Sequence, residues 1–225
     1  MLVIAHRGAH LHAPENSMEA FRLAVAQGAD GIEQDVRTTS DEVAVAMHDP
    51  TLKRTAGDNA AVSDLTHSRL SRTRLANGET VPTLEEVLDA FGGKTTIYAE
   101  LKDRGAAPEL ERLAARIPHA RITASSFDPL ALAGLESAPK ALLWDRRGSP
   151  IADAVGSGCI EIHPRLRRAA PRMVDDAHAQ GIRVIVWDVR NPRGVSTAMR
   201  IGADGIMADD ILMAKDAISR LGKNI

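Results

Sequence analysis

The chain has 225 residues, of which 44% are hydrophobic and 26% charged, with a formal net charge of −2. That length supports one well-filled core and lies near the lower end of what an eight-fold α/β barrel needs. The near-balanced charge offers no broad basic field for nucleic acid or an anionic membrane surface, although two or three placed cations can still hold a phosphate. No stretch approaches the ~18 apolar residues of a membrane span. The single cysteine, Cys159, cannot close an intrachain disulfide. Met1 leads directly into Leu2-Val3-Ile4-Ala5-His6, with no basic leader and no apolar h-region, so a cytoplasmic protein is expected.

In chain order, short β-branched runs alternate with longer helical patterns. A strand at 2–6 precedes a helix at 16–27, and a strand at 30–36 precedes one at 83–91. The pairs 96–101 with 107–116, 120–125 with 128–137 and 140–144 with 150–156 follow. The pairs 158–162 with 171–180, 183–188 with 193–200 and 204–208 with 211–221 complete the series. Eight strands and eight helices predict an α/β fold of the closed (β/α)8 TIM-barrel type rather than an open doubly wound sheet, with residues 1–225 as one domain. Thr83 and Glu86 have capping-box spacing. Gly28, Gly181 and Gly202 stand where helices would end on a left-handed residue. Residues 37–81 break the rhythm with an extended run, Val43-Ala44-Val45-Ala46-Met47, then a polar stretch containing Asn77-Gly78. This reads as a hairpin followed by a small insertion, 49–81, over the barrel mouth, too poor in apolar residues to be a separate domain.

The active face of such a barrel lies at the C-terminal ends of its strands, so polar residues there carry the functional signal. The first strand ends in His6-Arg7-Gly8. The second holds Glu33 and Asp35, two residues apart and hence on one side of the strand. The extended run ends in His48-Asp49, the third barrel strand in Glu100-Leu101-Lys102, and the seventh in Trp187-Asp188. Three carboxylates around one point raise each other's pKa. A hard divalent cation, Mg²⁺ or Ca²⁺, relieves that, and an all-oxygen donor set argues against zinc. Arg7 and Lys102 suit a phosphate oxygen, while His6 and His48 titrate near neutrality and can exchange protons with attacking and leaving oxygens. Singly each residue has an ordinary structural explanation; together, at strand ends on one face, they describe phosphoester cleavage. The basic residues Arg146, Arg147, Arg165, Arg167 and Arg168 read as solvated loop charges.

The ordered set His6-Arg7-Gly8, Pro14-Glu15-Asn16-Ser17, Glu33-x-Asp35-Val36 and His48-Asp49-Pro50-Thr51-Leu52-x-Arg54-Thr55 resembles the glycerophosphodiester phosphodiesterases. Pro82-Thr83-Leu84-Glu85-Glu86, Glu100-Leu101-Lys102, Ser126-Phe127 and Gly202-x-Asp204-Gly205-Ile206 continue the resemblance over essentially the whole chain. It implies cleavage of small glycerophosphodiesters to glycerol 3-phosphate and an alcohol such as choline, ethanolamine or glycerol. By the same resemblance His6 and His48 are the acid–base pair, and Glu33, Asp35 and Glu100 hold Mg²⁺ or Ca²⁺. Arg7 and Lys102 contact phosphate, Glu15 supports the metal or glycerol, and Trp187 forms a wall against the glycerol carbons. The chain departs from the family pattern with Trp187-Asp188-Val189-Arg190 after the seventh strand and Met207-Ala208-Asp209 at the eighth. These place an extra acid and base at the mouth and leave headgroup preference open. Aromatic residues make up only 3%, which disfavours a related enzyme acting on intact lysophospholipids. Oligomeric state is not encoded in any pattern read here.

Overall fold

The computed structural model describes residues 1–222. In chain order its elements are β1 (Leu2–Ala5), α1 (Met18–Ala26), β2 (Gly31–Thr38), β3 (Ala44–Ala46), α2 (Lys53–Ala56), α3 (His67–Leu70) and α4 (Leu84–Phe91). They continue with β4 (Thr96–Leu101), α5 (Ala106–Arg116), β5 (Arg121–Ser126), β6 (Lys140–Trp144), α6 (Ile151–Gly156) and β7 (Glu161–Pro164). The last are α7 (Pro171–His178), β8 (Arg183–Val189), α8 (Pro192–Arg200), β9 (Gly205–Ala208) and α9 (Ile211–Gly222). The strand order is β1-β9-β8-β7-β6-β5-β4-β2, and β1 pairs in parallel with β2 as well, Ile4 opposite Gly31 and Ala5 opposite Ile32. Eight parallel strands therefore close into the expected TIM barrel. The short β3 lies outside it, antiparallel on β2 with Val36 opposite Ala46.

The period of two along each strand divides the core. Ile4, Tyr98, Ile185 and Met207 fill the barrel interior, while alternate residues such as Val3, Ile97, Val184 and Ile206 pack outward against the helices. Because both faces of β2 are covered, Gly31 to Val36 are all buried. Local chemistry fixes the helix starts. Ser17 Oγ accepts from Ala20 N, Asn191 Oδ1 accepts from Gly194 N, and both bonds of the Thr83–Glu86 capping box form. Gly28, Gly181 and Gly202 take positive φ as expected.

Two sequence expectations are corrected. The helix expected over 128–137 is only a 3₁₀ turn, Pro129–Ala131. Asp128 turns its carboxylate back to Leu130 N, Gly134 adopts φ +81°, and the Glu111 carboxylate takes the Ser137 amide and hydroxyl at 2.9 and 2.6 Å. These bonds satisfy the backbone in turns and leave nothing to propagate a helix. The strand expected at 158–162 starts only at Glu161, because Gly158 at φ +65° and Cys159, bonded to Ala154 O at 2.9 Å, complete the preceding helix stop.

The segment after β3 is richer in buried apolar residues than its composition implied. Val45, Met47, Leu52, Val62, Leu70, Leu75 and Val81 form a separate cluster, and Asn77 fastens the lobe to α1 through Glu19 at 2.7 Å. Among the described residues, no helix is long and apolar enough to cross a membrane.

Candidate active site

The loop after β1 depends on Gly8. It holds φ +78°, and a Cβ there would lie 2.8 Å from the Ala20 carbonyl carbon and Cβ. Any side chain would push the loop off α1. The non-glycine residues in left-handed conformation among those described are Arg7, Asn16, Glu42 and Asp188, and all but Glu42 surround the barrel mouth. Such strain persists where surrounding bonds over-determine it. Arg7 N donates to Glu33 Oε2 at 2.8 Å, and the Asn16 amide brackets Asp35, giving Nδ2 to Oδ2 at 2.8 Å and taking Asp35 N on Oδ1 at 3.1 Å.

Glu33 and Asp35 project from β2 and Glu100 from β4, with Asp35 directly opposite Glu100 in register. One oxygen from each lies within 4.8 Å of the others. Glu33 and Asp35 are 3% and 1% exposed. Lys102 Nζ approaches Asp35 Oδ1 to 2.9 Å and bonds Glu100 Oε1, while Arg7 Nε lies 3.1 Å from Asp35 Oδ2 as an ion pair rather than a directed hydrogen bond. Burial, and then the charge of Asp35, pushes the Glu33 carboxyl up to about 8. Burial likewise raises Glu100, against the opposing pull of Lys102. Burial also works against ionised Asp35, but Lys102 and Arg7 outweigh it and lower its pKa. Glu33 Oε1 is buried with no hydrogen-bond partner. A converging oxygen set with one such orphaned lone-pair donor fits a hard divalent cation.

Each candidate histidine is held by an aspartate. His6 Nδ1 bonds Asp209 Oδ1 at 2.8 Å and His48 Nδ1 bonds Asp49 Oδ1 at 2.6 Å. An ionised carboxylate only accepts, so each Nδ1 carries the hydrogen and each neutral ring keeps Nε2 as its basic atom. Burial opposes charge on His6, but Asp209 and the nearby Glu33 outweigh it and its pKa is raised. The Arg54 hydrogen bond first, then that of His48, holds Asp49 down to about 2. Arg54 also forks onto Glu15 at 2.8 and 2.7 Å, and Glu15 bonds Arg7 at 3.1 Å. A continuous chain of charge thus runs from His48 to Arg7.

These groups border a cavity of about 230 Å³. His6, Arg7, Glu33, His48, Glu100 and Lys102 line one side; Phe127, Leu143, Trp187 and Met207, with Arg165, Asp188 and Arg190, line the other. Trp187 is fixed by a 2.8 Å bond from Nε1 to His163 O and meets Phe127 edge-on at 5.7 Å. A wider hollow of about 780 Å³ at the opposite barrel end, bordered by Leu2, Tyr98 and Arg183, holds none of the groups expected to do chemistry. The sequence-derived residues therefore gather at one mouth, except that Glu15 and Asp35 stand behind the cavity wall. The sequence patterns gave no role to Asp209, Asn16, Asp49 or Arg54, although all four sit inside the quoted motifs. Arg165, expected as a solvated charge, lines the cavity.

A parallel barrel with clustered carboxylates, phosphate-compatible cations and two aspartate-held imidazoles at its strand ends defines the class: a barrel suited to hydrolysis at a phosphoester. Comparison with known proteins narrows this. The family model for the glycerophosphoryl diester phosphodiesterase family matches residues 6–213, and the chain belongs to that family. The glycerophosphodiester phosphodiesterase of Caldanaerobacter subterraneus subsp. tengcongensis is 32% identical over 228 residues, covering 93% of this chain and 94% of that protein. The crystal structure of a glycerophosphodiester phosphodiesterase from Thermotoga maritima aligns with a TM-score of 0.84 at 27% identity, over 96% of this chain and 97% of the other. An Oleispira antarctica phosphodiesterase, solved with the product sn-glycerol-3-phosphate, shares the fold with a TM-score of 0.90 at 22% identity, over 97% of each chain.

Proposed function

We propose that this chain hydrolyses glycerophosphodiesters to glycerol 3-phosphate and an alcohol, with Glu33, Asp35 and Glu100 holding Mg²⁺ or Ca²⁺ and His6 and His48 moving the protons. The observation that carries this reading is the convergence of two aspartate-held histidines and three buried carboxylates on one cavity. The product bound to the Oleispira protein supports a small-molecule substrate. When bound, the divalent ion supplies a Lewis acid that polarises phosphoryl oxygen and lowers the pKa of a neighbouring hydroxyl.

The residues of the chain do the rest. Arg7 and Lys102 receive the phosphate oxygens, and Glu15 acts at one remove by holding Arg7 in place. Trp187 and Phe127 offer a rigid apolar wall to the glycerol carbons. One imidazole Nε2 removes the proton from the attacking oxygen, and the other delivers a proton to the departing alkoxide. Asp49 and Asp209 keep both rings in the tautomer that leaves Nε2 basic. The whole chain acts as one catalytic domain, with the 49–81 lobe contributing Asp49 and Arg54 beside the mouth.

The test is release of glycerol 3-phosphate from defined diesters in EDTA and after adding back Mg²⁺ or Ca²⁺. Release is expected only with the ion. His48→Ala should lower kcat by ~10²–10⁴-fold. Release in EDTA equal to that with the ion would reject the metal assignment, and near-native turnover by H48A would reject the histidine assignment.

A further inference from the structure

The half of the cavity away from the carboxylates carries two arginines, Arg165 and Arg190. The Arg165 guanidinium stacks on Trp187, 5.3 Å from the ring centroid. Its Nε and Nη2 reach Asp188 Oδ2 at 3.0 and 2.6 Å, and its Nη1 reaches Asp145 Oδ2 at 3.1 Å. Asp145 is shared by three guanidinium groups, those of Arg165, Arg167 and Arg168. Arg190, 66% exposed, is held only by ion pairs through Nε, to Asp188 Oδ1 at 2.6 Å and Asp209 Oδ2 at 3.4 Å. It makes no directed hydrogen bond to another described residue, so the donors of its planar fork are available. Four arginines, Arg165, Arg167, Arg168 and Arg190, thus share three aspartates, Asp145, Asp188 and Asp209.

Two consequences follow for the alcohol end of a diester. A quaternary ammonium is normally taken on an aromatic face, but here Arg165 covers Trp187. An ammonium beside Arg165 and Arg190 would also meet like charge. A planar or tetrahedral oxyanion, by contrast, matches the guanidinium fork.

We infer that this protein selects diesters whose alcohol carries an anionic group, a phosphate or a carboxylate, and that Arg165 and Arg190 read that group. The inference rests on the phosphodiesterase reading above and names its substrate class. Asp188 presents both arginines, and its left-handed backbone at φ +71° sets their position.

The test compares kcat/KM at fixed ionic strength for three diesters: glycerophosphoinositol 4-phosphate, its neutral-headgroup counterpart glycerophosphoinositol, and glycerophosphocholine. The expected order is anionic, neutral, cationic, with about tenfold or more between the ends, a size typical of one unmatched charge at a pocket. Arg165→Met and Arg190→Gln should each bring the ratio of inositol 4-phosphate to inositol substrate towards one. R190Q alters a largely exposed side chain and keeps the test decisive if R165M is unstable. Cleavage of the choline diester as fast as the inositol 4-phosphate diester, or a ratio unmoved by both variants, would overturn the headgroup inference alone. Failure of folded wild-type protein with Mg²⁺ or Ca²⁺ to cut any of the three would instead overturn the phosphodiesterase reading.

Discussion

Asp209→Asn isolates the contribution of the aspartate behind His6. In the wild type the carboxylate accepts from Nδ1 at 2.8 Å, with His6 and Asp209 side chains 26% and 18% exposed. Asparagine is nearly isosteric but uncharged, and it can turn its NH₂ towards the ring and favour the wrong tautomer. A hydrogen bond to a charged group is worth ~1.5–3 kcal/mol, which corresponds to roughly 10- to 150-fold in rate. Partial exposure places the expected loss in kcat/KM in the lower part of that range. With Asp209 neutral, only Glu33 and Asp35 are left supporting the imidazolium against burial and Arg7, so the His6 pKa falls and the limb of the pH–rate profile that reports His6 moves to lower pH. Stability provides an independent readout. The raised His6 contributes fully below its ordinary value of 6.5 and loses that contribution as pH rises through its folded pKa. The lowered Asp209 contributes fully above 3.8 and loses it as pH falls through its own folded value. The stability gap between wild type and D209N in urea should therefore be widest between about pH 4 and 6.5 and narrow on either side. A pH–rate profile that does not move, with a gap constant in pH, would refute the pairing as a functional element.

Three further outcomes are expected. Because Glu33 is raised to about 8 without a cation and Glu100 is raised too, binding of Mg²⁺ or Ca²⁺ at pH 7 should release protons, and the release should fall as pH rises above about 8. Calorimetry in buffers of different ionisation enthalpy measures this, and no release at pH 7 would contradict it. Asp49, depressed from 3.8 to about 2 mainly by Arg54, contributes stability that is present above pH 3.8 and lost as pH falls through 2. Discounted for its exposure, that contribution is about 1 kcal/mol, so the gap between wild type and D49N should be that size at pH 6 and close in strong acid; an unchanged gap at pH 2 would count against it. Gly8→Ala combines a left-handed backbone with a contact at 2.8 Å and should destabilise by ~2–4 kcal/mol. Its Tm should fall by roughly 5–15 °C, and a Tm within 2 °C of wild type would show that the loop relaxes freely.

The barrel and the near side of the site were legible because both rest on short-range patterns. Strand and helix periods are local: His6, His48, Glu100 and Lys102 fall at or just past strand ends, and Glu33 and Asp35 share one face of β2 by its period of two. The Thr83–Glu86 cap was legible for the same reason. What escaped depends on closure. Asp209 is separated from His6 by 203 positions and meets it only because β9 pairs with β1. Arg165 reads as one of a run of basic loop residues until β7 and β8 bring it beside Trp187. The false helix at 128–137 had suitable residues, but the competing partner, Glu111, comes from a different element.

The charges in the pocket make the two halves of the site interdependent. Near neutral pH without a divalent cation, Glu33 holds a proton, while Lys102 and Arg7 stand against Asp35 and Glu100. The carboxylate side is then close to neutral and has little to offer an anionic phosphodiester. Lys102 is also bonded to the carboxylates and not available to phosphate. Glu33, Asp35 and Glu100 would hold a divalent ion as carboxylates, so with one bound Glu33 would give up its proton, Lys102 would be freed from neutralising them, and this side would become net positive. The arginines opposite, Arg165 and Arg190, need no such exchange. On the proposed mechanism phosphate capture depends on the ion, whereas the arginines proposed to read the headgroup belong to the chain itself. The departures from the family pattern, Trp187-Asp188-Val189-Arg190 and Met207-Ala208-Asp209, leave the carboxylates and both histidines intact.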